Sequence, residues 1–350
     1  MSREKSNSIL KSISVMFVCI TLIFAMCACG NSASEEPEEP QQEIAEEQTE
    51  QADAQEEKKA EPLDPENMPV VNAGDTAAEK SIYKDSNGDM AYIPADFTVS
   101  AAEGEQTISK GLVVIGPDDS EYVWIPITQT HFARQDYGSY YFSGGFSEYY
   151  DETDLDTYRD MLENSKRHGG FYIGRYEASE GEEGLPASRR VTAEEPGHIM
   201  VRFSPQDATE ACQELYDDND TVEGFFPWGI TWDTTLQWLI DSGSLSSDKV
   251  TDDCSSWGNY SNDYFSPGVS GTTTGAFEET KVNNIYDLAG NNWEWTQERA
   301  GGDSYVMRGG GYNIMGGECT GYDFPVTIRD PLPGNDHHPN VAFRIALFLK

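Results

Sequence analysis

Basic residues are scarce in this 350-residue chain: 23 Lys and Arg stand against 62 Asp and Glu, for a formal net charge of -39. A surface this negative repels phosphate backbones, which excludes general nucleic-acid binding. It suits solubility outside a cell and attraction of divalent cations. Cysteine is also sparse. Of six, three lie within the first 29 residues, which leaves Cys212, Cys254 and Cys319 for the remainder. One disulfide with one leftover thiol, or three reduced cysteines, both fit that count. The five histidines form no Ser-His-Asp order, and no glycine loop of the phosphate-cradling kind stands out. Beyond the N-terminus no apolar run is long enough to span a bilayer.

At the N-terminus, Arg3, Lys5 and Lys11 precede ISVMFVCITLIFAMCA, a basic start and an apolar run that read as a secretory signal. The run ends in Ala28-Cys29-Gly30, which resembles a bacterial lipobox, where small residues precede a cysteine that is then lipidated. Cys27 is the poorer candidate because bulky Met26 precedes it. Residues 1–28 are thus expected to be a lipoprotein signal peptide, Cys29 the lipidated residue, and the location extracytoplasmic, on a bacterial membrane. An ordinary signal peptide and an uncleaved anchor are the alternatives. Residues 29–80, including SASEEPEEPQQEIAEEQTEQADAQEEKKAEP, are almost free of aromatic and β-branched side chains. Such a segment cannot offset the entropy of folding and is expected to be an acidic, disordered tether, extended by self-repulsion.

Order is expected from Ser81 onward. DSNGDMAYIPADFTVS carries an Asn87-Gly88 turn and alternating residues, a hairpin signal. SEYVWIPI is apolar on both faces and reads as a covered, central strand. LDTYRDMLENSKRHGG has helical spacing and a stop at Gly169. Ser204-Pro205-Gln206-Asp207 supplies a cap, a first-turn proline and a capping-box acid for a helix whose stripe includes Cys212. TWDTTLQWLIDSG is a third helix. Residues 244–279, rich in Ser, Thr, Gly and Asp, read as long surface loops. In NNIYDLAGNNWEW an extended backbone puts Trp293 and Trp295 on one face, for packing, and Glu294 on the other, either solvated or available for chemistry.

GGFYIGRYEAS, DATEACQELY, ITWDTTLQWL, NNIYDLAGNNWEW, RGGGYN and AFRIAL, in this order, resemble the formylglycine-generating-enzyme family, or sulfatase-modifying-factor domain, over approximately Tyr83 to Lys350. The resemblance implies an α+β, C-type-lectin-like fold for residues 81–350, with short twisted strands, two main helices and much irregular loop. It implies a structural calcium ion on Asn291, Asn292 and Glu294, since turn oxygens and a carboxylate suit a hard cation. Asn292 departs from the small or apolar residue usual there. Arg308 and Arg344 are expected in buried ion pairs.

Catalytic members of the family oxidise a sulfatase cysteine with copper held by two cysteines. Here the first position is Ile314 and the second Cys319, so copper is not expected, because a lone thiolate is a poor Cu(I) site. Pairing of Cys254 with Cys319, as a metal site or a disulfide, is the substitute arrangement. The expected function is a membrane-anchored, non-catalytic binding domain for a glycan, peptide or protein. Tyr312, Asn313, Tyr322, Asp323, Asn335 and Asp336 are its candidate contact residues, and His337-His338 is taken to face solvent. The alternative is a divergent copper-dependent oxidase acting on exported sulfatases, with Cys319 catalytic.

Overall fold

A computed structural model describes residues 63–127, 132–135, 137, 147, 149, 152–261, 273–314, 317–318 and 320–350. Its central element is a six-stranded antiparallel sheet in the order β3 (Thr98–Val99), β4 (Val113–Ile115), β5 (Glu121–Pro126), β6 (Gly170–Gly174), β16 (Ala346–Leu349) and β9 (Val222–Phe225). The stretch SEYVWIPI sits in the middle as expected, because both of its faces are apolar. Tyr122 and Trp124 enter one hydrophobic cluster with Tyr172 and Leu347, while Val123 and Ile125 enter another with Phe171, Ile173, Ala346 and Phe348. Register locks the two strands, Val123 opposite Ile173 and Trp124 opposite Tyr172.

The helices α1 (Glu152–His168) and α3 (Gly229–Asp241) cover one face of this sheet. Trp232, Leu236 and Leu239 of α3 and Met161 of α1 complete the cluster on the Val123 side. On the Tyr122 side lie the hairpin β1 (Ser81–Lys84) and β2 (Met90–Ile93), together with Ala208 and Cys212 of α2 (Pro205–Gln213). The expected start signal of α2 is present in full: Ser204 Oγ accepts from Asp207 N–H at 3.1 Å, and the Asp207 carboxylate accepts from Ser204 N–H at 3.1 Å. A fourth helix, α4 (Ser247–Thr251), is a single short turn.

A second sheet has the order β14 (Asp330–Pro333), β11 (Ser304–Arg308), β10 (Trp293–Arg299) and β15 (Val341–Ala342), the last pair being parallel. Its outer strand β14 carries Pro331 and Pro333, residues that block further pairing along an edge. Two short ribbons, β7 (Ser179–Glu180) with β8 (Pro186–Ala187) and β12 (Asn313–Ile314) with β13 (Gly317–Glu318), complete the strands. This is an α+β architecture. Its mainly antiparallel sheets, few helices and long irregular connections agree with the fold that the resemblance implies.

Three expectations need correction. Composition assigns residues 63–80 to the tether, yet they lie along the domain. Val71 N–H donates to Ile82 O at 2.9 Å and Ala77 N–H to Phe97 O at 2.8 Å, with both side chains buried. The acids around them, Glu66, Asp75 and Glu79, stay exposed, so a few apolar anchors suffice to order an acidic stretch. Residues 1–62, Cys29 included, lie outside the described residues. Residues 244–261 and 273–279 are also more than surface loop: Cys254, Trp257, Asn259, Tyr260 and Thr274 are buried, with Cys254, Trp257 and Tyr260 joining the cluster of Val123 and α3 without following a period of their own. Finally, Glu294 is neither solvated nor open, being only 1% exposed between Trp293 and Trp295.

Candidate functional site

The turn that leads into β10 is built by backbone conformations few residues adopt. Gly290 has φ +78°, and a Cβ there would lie 2.3 Å from Asn259 O; Asn291 follows with φ +60°. Glycine and asparagine tolerate the left-handed region, which is why this corner reads Gly-Asn-Asn. The turn delivers three amide N–H groups to one buried carboxylate. Asn291 Nδ2 donates to Glu177 Oε2 at 2.7 Å, Asn292 Nδ2 to the same oxygen at 2.8 Å, and Asn292 N–H to Oε1 at 3.0 Å.

Glu177 is the residue that sequence reasoning misses. It follows β6 in Gly-Arg-Tyr-Glu-Ala-Ser, 114 residues before Asn291. The position gives no local signal of its partner, and only its place within the family-like GGFYIGRYEAS segment hinted at importance. Glu294, the acid expected beside the asparagines, is engaged elsewhere: Arg344 Nη2 donates to Oε1 at 2.7 Å and Nε to Oε2 at 3.1 Å. Asp287 is the third fully buried acid, accepting from Gly275 N–H at 2.7 Å and Thr280 Oγ1 at 2.7 Å. Three carboxylates thus share one guanidinium. Burial first, then the charges of Glu294 and Asp287, push the Glu177 carboxyl well above its ordinary range, although its bond from Asn292 opposes this.

The implied calcium meets this donor set only in part. Glu294 does not fit, since Arg344 already neutralises it. Glu177 has no such ion pair and accepts from the N–H groups of Asn291 and Asn292, and Asn259, bonded through Nδ2 to Asn291 Oδ1 at 3.1 Å, keeps a buried Oδ1 without a hydrogen bond. Among the described residues no three His, Cys, Asp or Glu side chains form a ready-made metal cage, so a cation here would draw on amide and main-chain oxygens.

A second buried cluster joins α3 to the second sheet. Arg308 donates to Asp233 Oδ1 at 2.6 Å and Glu298 Oε2 at 3.2 Å, while Arg329 donates to Asp233 Oδ2 at 2.5 Å and Glu298 Oε1 at 2.8 Å. Arg134 also pairs with Glu298. All four inner residues are within 3% of complete burial. Arg308 and Arg344 are therefore ion-paired structural residues, as the sequence suggested.

The six expected contact residues do not converge. Tyr312 joins the Trp293 end of the second sheet, its N–H donating to Asn291 O at 2.7 Å. Asn313 belongs to β12. Tyr322 and Asp323 occupy a tight turn, closed by Thr320 Oγ1 donating to Asp323 Oδ2 at 2.8 Å and fastened by Cys254 N–H donating to Gly321 O at 3.1 Å. Asn335 and Asp336 lie at the other end, where Gly334 N–H donates to Asp303 O in the β10–β11 turn. His337 is exposed and its Nδ1 is 2.9 Å from Arg202 O; His338 is half-buried. Cys319 lies outside the described residues. Cys212 is buried in α2, and the Cys254 thiol donates to Lys249 O at 3.3 Å.

No family model matches this chain, and no curated protein matches it. Among solved structures it is similar to CarF, with a TM-score of 0.35 and 16% identity over 52% of this chain and 87% of that one. PvdO from Pseudomonas aeruginosa gives a TM-score of 0.41 and 13% identity over 68% and 98%. Treponema denticola variable protein 1 gives 0.25 and 13% over 76% and 98%. The likeness concerns fold alone, and the α+β class stands on the order of strands and helices described above.

The raised pKa of Glu177 has a definite sign. The folded protein holds a proton there that the unfolded chain releases above its ordinary value of 4.5, so this contribution to stability is full below 4.5 and is lost as pH rises through the folded value. Glu177→Gln, which mimics the protonated acid, is expected to flatten the fall in melting temperature on going from acid to alkaline pH in chelator. A parent and variant with parallel pH profiles would contradict this.

Proposed function

We propose that this chain is an extracytoplasmic recognition domain, anchored to a bacterial membrane through Cys29 and displayed on the acidic stretch that follows. The observation that carries the reading is Tyr322. At 68% exposure it and Val70 are the exposed large hydrophobic residues among those described, and it rides on a turn braced from both sides. An aromatic held out in water on a fixed turn can stack on a sugar or peptide ring at little entropic cost. Thr320 and Asp323 supply polar groups beside it, and Tyr312 lies on the same end of the second sheet. Asn335 and Asp336 belong to a separate patch and drop out of this surface. On a glycan and peptide array, binding by the full chain is expected to fall at least ~10-fold in Tyr322→Ala. Absence of any ligand, or a hit indifferent to the substitution, would remove the proposal.

A calcium ion is proposed as part of the same scaffold, held by Glu177, Asn291, Asn292 and Asn259 rather than by Glu294. A divalent charge would compensate the surplus of buried acid and stiffen the turn that supports Tyr312. Adding about 1 mM calcium, in the range that suits extracellular sites, is expected to raise the melting temperature of the parent and not of Glu177→Gln. A melting temperature indifferent to calcium and chelator would take these residues off the list.

One observation favours the oxidase as a second reading. The bond from Cys254 N–H to Gly321 O brings the Cys254 segment against residues 320–321, next in sequence to Cys319. Two thiolates there would be a soft-metal pair. Titration of Cu(I) into reduced protein distinguishes the readings: one-to-one binding lost in both Cys254→Ser and Cys319→Ser supports the oxidase, and weak, unchanged binding supports recognition without copper.

A further inference from the structure

The C-terminal end of α1 holds a histidine whose protonation state the geometry fixes. His168 is 3% exposed, and its Nδ1 lies 2.9 Å from Asn164 O, a group that only accepts. Its Nε2 lies 3.4 Å from Lys80 Nζ, an ammonium that only donates. Nδ1 must carry the hydrogen and Nε2 must be the acceptor, so the ring is neutral. Lys80 is held in place by its bond to Lys350 O at 2.6 Å, and Tyr92 of β2 meets the imidazole edge-on at 5.2 Å. One ring thus ties together α1, the N-terminal flank, the first hairpin and the end of the strand β16.

Among the described residues, the groups around the ring are unsuited to receive a second proton. The charged groups that act on the ring are Lys80 from the flank and Arg167 from its own helix, both cations. β2 contributes Tyr92, whose own pKa is raised by burial, and at Lys350 the near group is a main-chain oxygen already held by Lys80. Glu223 of β9 sits 3.8 Å from the Lys350 ammonium.

We propose that His168 is a proton-operated latch: protonation at Nε2 breaks the contact with Lys80 and loosens the N-terminal flank and the β1–β2 hairpin from α1. Acid would then free the stretch through which the domain joins its acidic N-terminal segment. The latch uses no residue of the recognition surface and stands apart from that reading. Burial, with Lys80 and Arg167 adding to it against the bond to Asn164, brings the pKa down from 6.5 to about 4. The folded-state value is depressed, so the neutral ring's contribution is complete above 6.5 and is lost as pH falls toward 4.

Two measurements on the full chain test this. Nitrogen NMR of the imidazole is expected to show the Nδ1–H tautomer and a midpoint near pH 4, rising in Lys80→Met; a midpoint near 6.5, or one unmoved in Lys80→Met, would overturn the proposal. Amide exchange of β1, corrected for intrinsic rates, is expected to increase on the order of 10²-fold between pH 7 and pH 4. His168→Gln keeps an acceptor and cannot titrate. Equal acid-induced opening in that variant would likewise overturn the latch.

Discussion

The fold rests on placing arginine guanidinium groups where no water reaches them. Each buried ion costs several kcal/mol in desolvation, which is recovered only when every charge meets a well-placed opposite. For the buried arginines that condition is met geometrically. Arg344 grips Glu294 with two nitrogens and spends its remaining donors on the carbonyls of Gly174 and Tyr286, while Arg308 and Arg329 close a ring with Asp233 and Glu298. These bonds join β6, β10, β11 and α3, elements far apart in sequence, and misregister of either sheet would strand a charge in the core. Apolar packing supplies the driving force, and the pairs decide which packing is allowed.

Arg175 is buried against acids in the same way, meeting Glu105 and Glu121. Among the described residues, buried acids nevertheless outnumber buried arginines: Asp85, Glu177, Asp233, Asp287, Glu294 and Glu298 stand against Arg175, Arg308, Arg329 and Arg344. Around Glu177 this imbalance leaves an inner surplus of negative charge, which a proton or a cation must offset. The turn that carries this surplus is the one whose main chain holds Tyr312, so the state of a buried acid bears on the shape of an outer loop.

Much of the scaffold was legible. Ser204, Pro205 and Asp207 announced a helix start because capping is local chemistry, complete within four residues. SEYVWIPI announced a central strand because both of its faces are apolar, which only a doubly covered sheet satisfies. The losses have one cause. Glu177 meets Asn291 across 114 residues, and Lys80 meets His168 across 88, distances over which no periodicity reports. Residues 244–261 looked like solvent-facing loop because Ser, Thr and Asp dominate there, yet Trp257 and Tyr260 lock into the core without any repeat to reveal them. Asn335 and Asp336 looked equivalent to Tyr322 in sequence and lie at the opposite end of a sheet.

Sequence by itself determined the acidic character, the sites of the main helices and central strand, and which corner needed glycine and asparagine, since all of these follow from composition or from neighbours a few residues apart. Tertiary structure alone decided which acid meets which base: Glu294 to Arg344, Glu177 to the asparagines, His168 to Lys80. A carboxylate's role depends on the charge and the water around it, and those are set only when distant segments pack together.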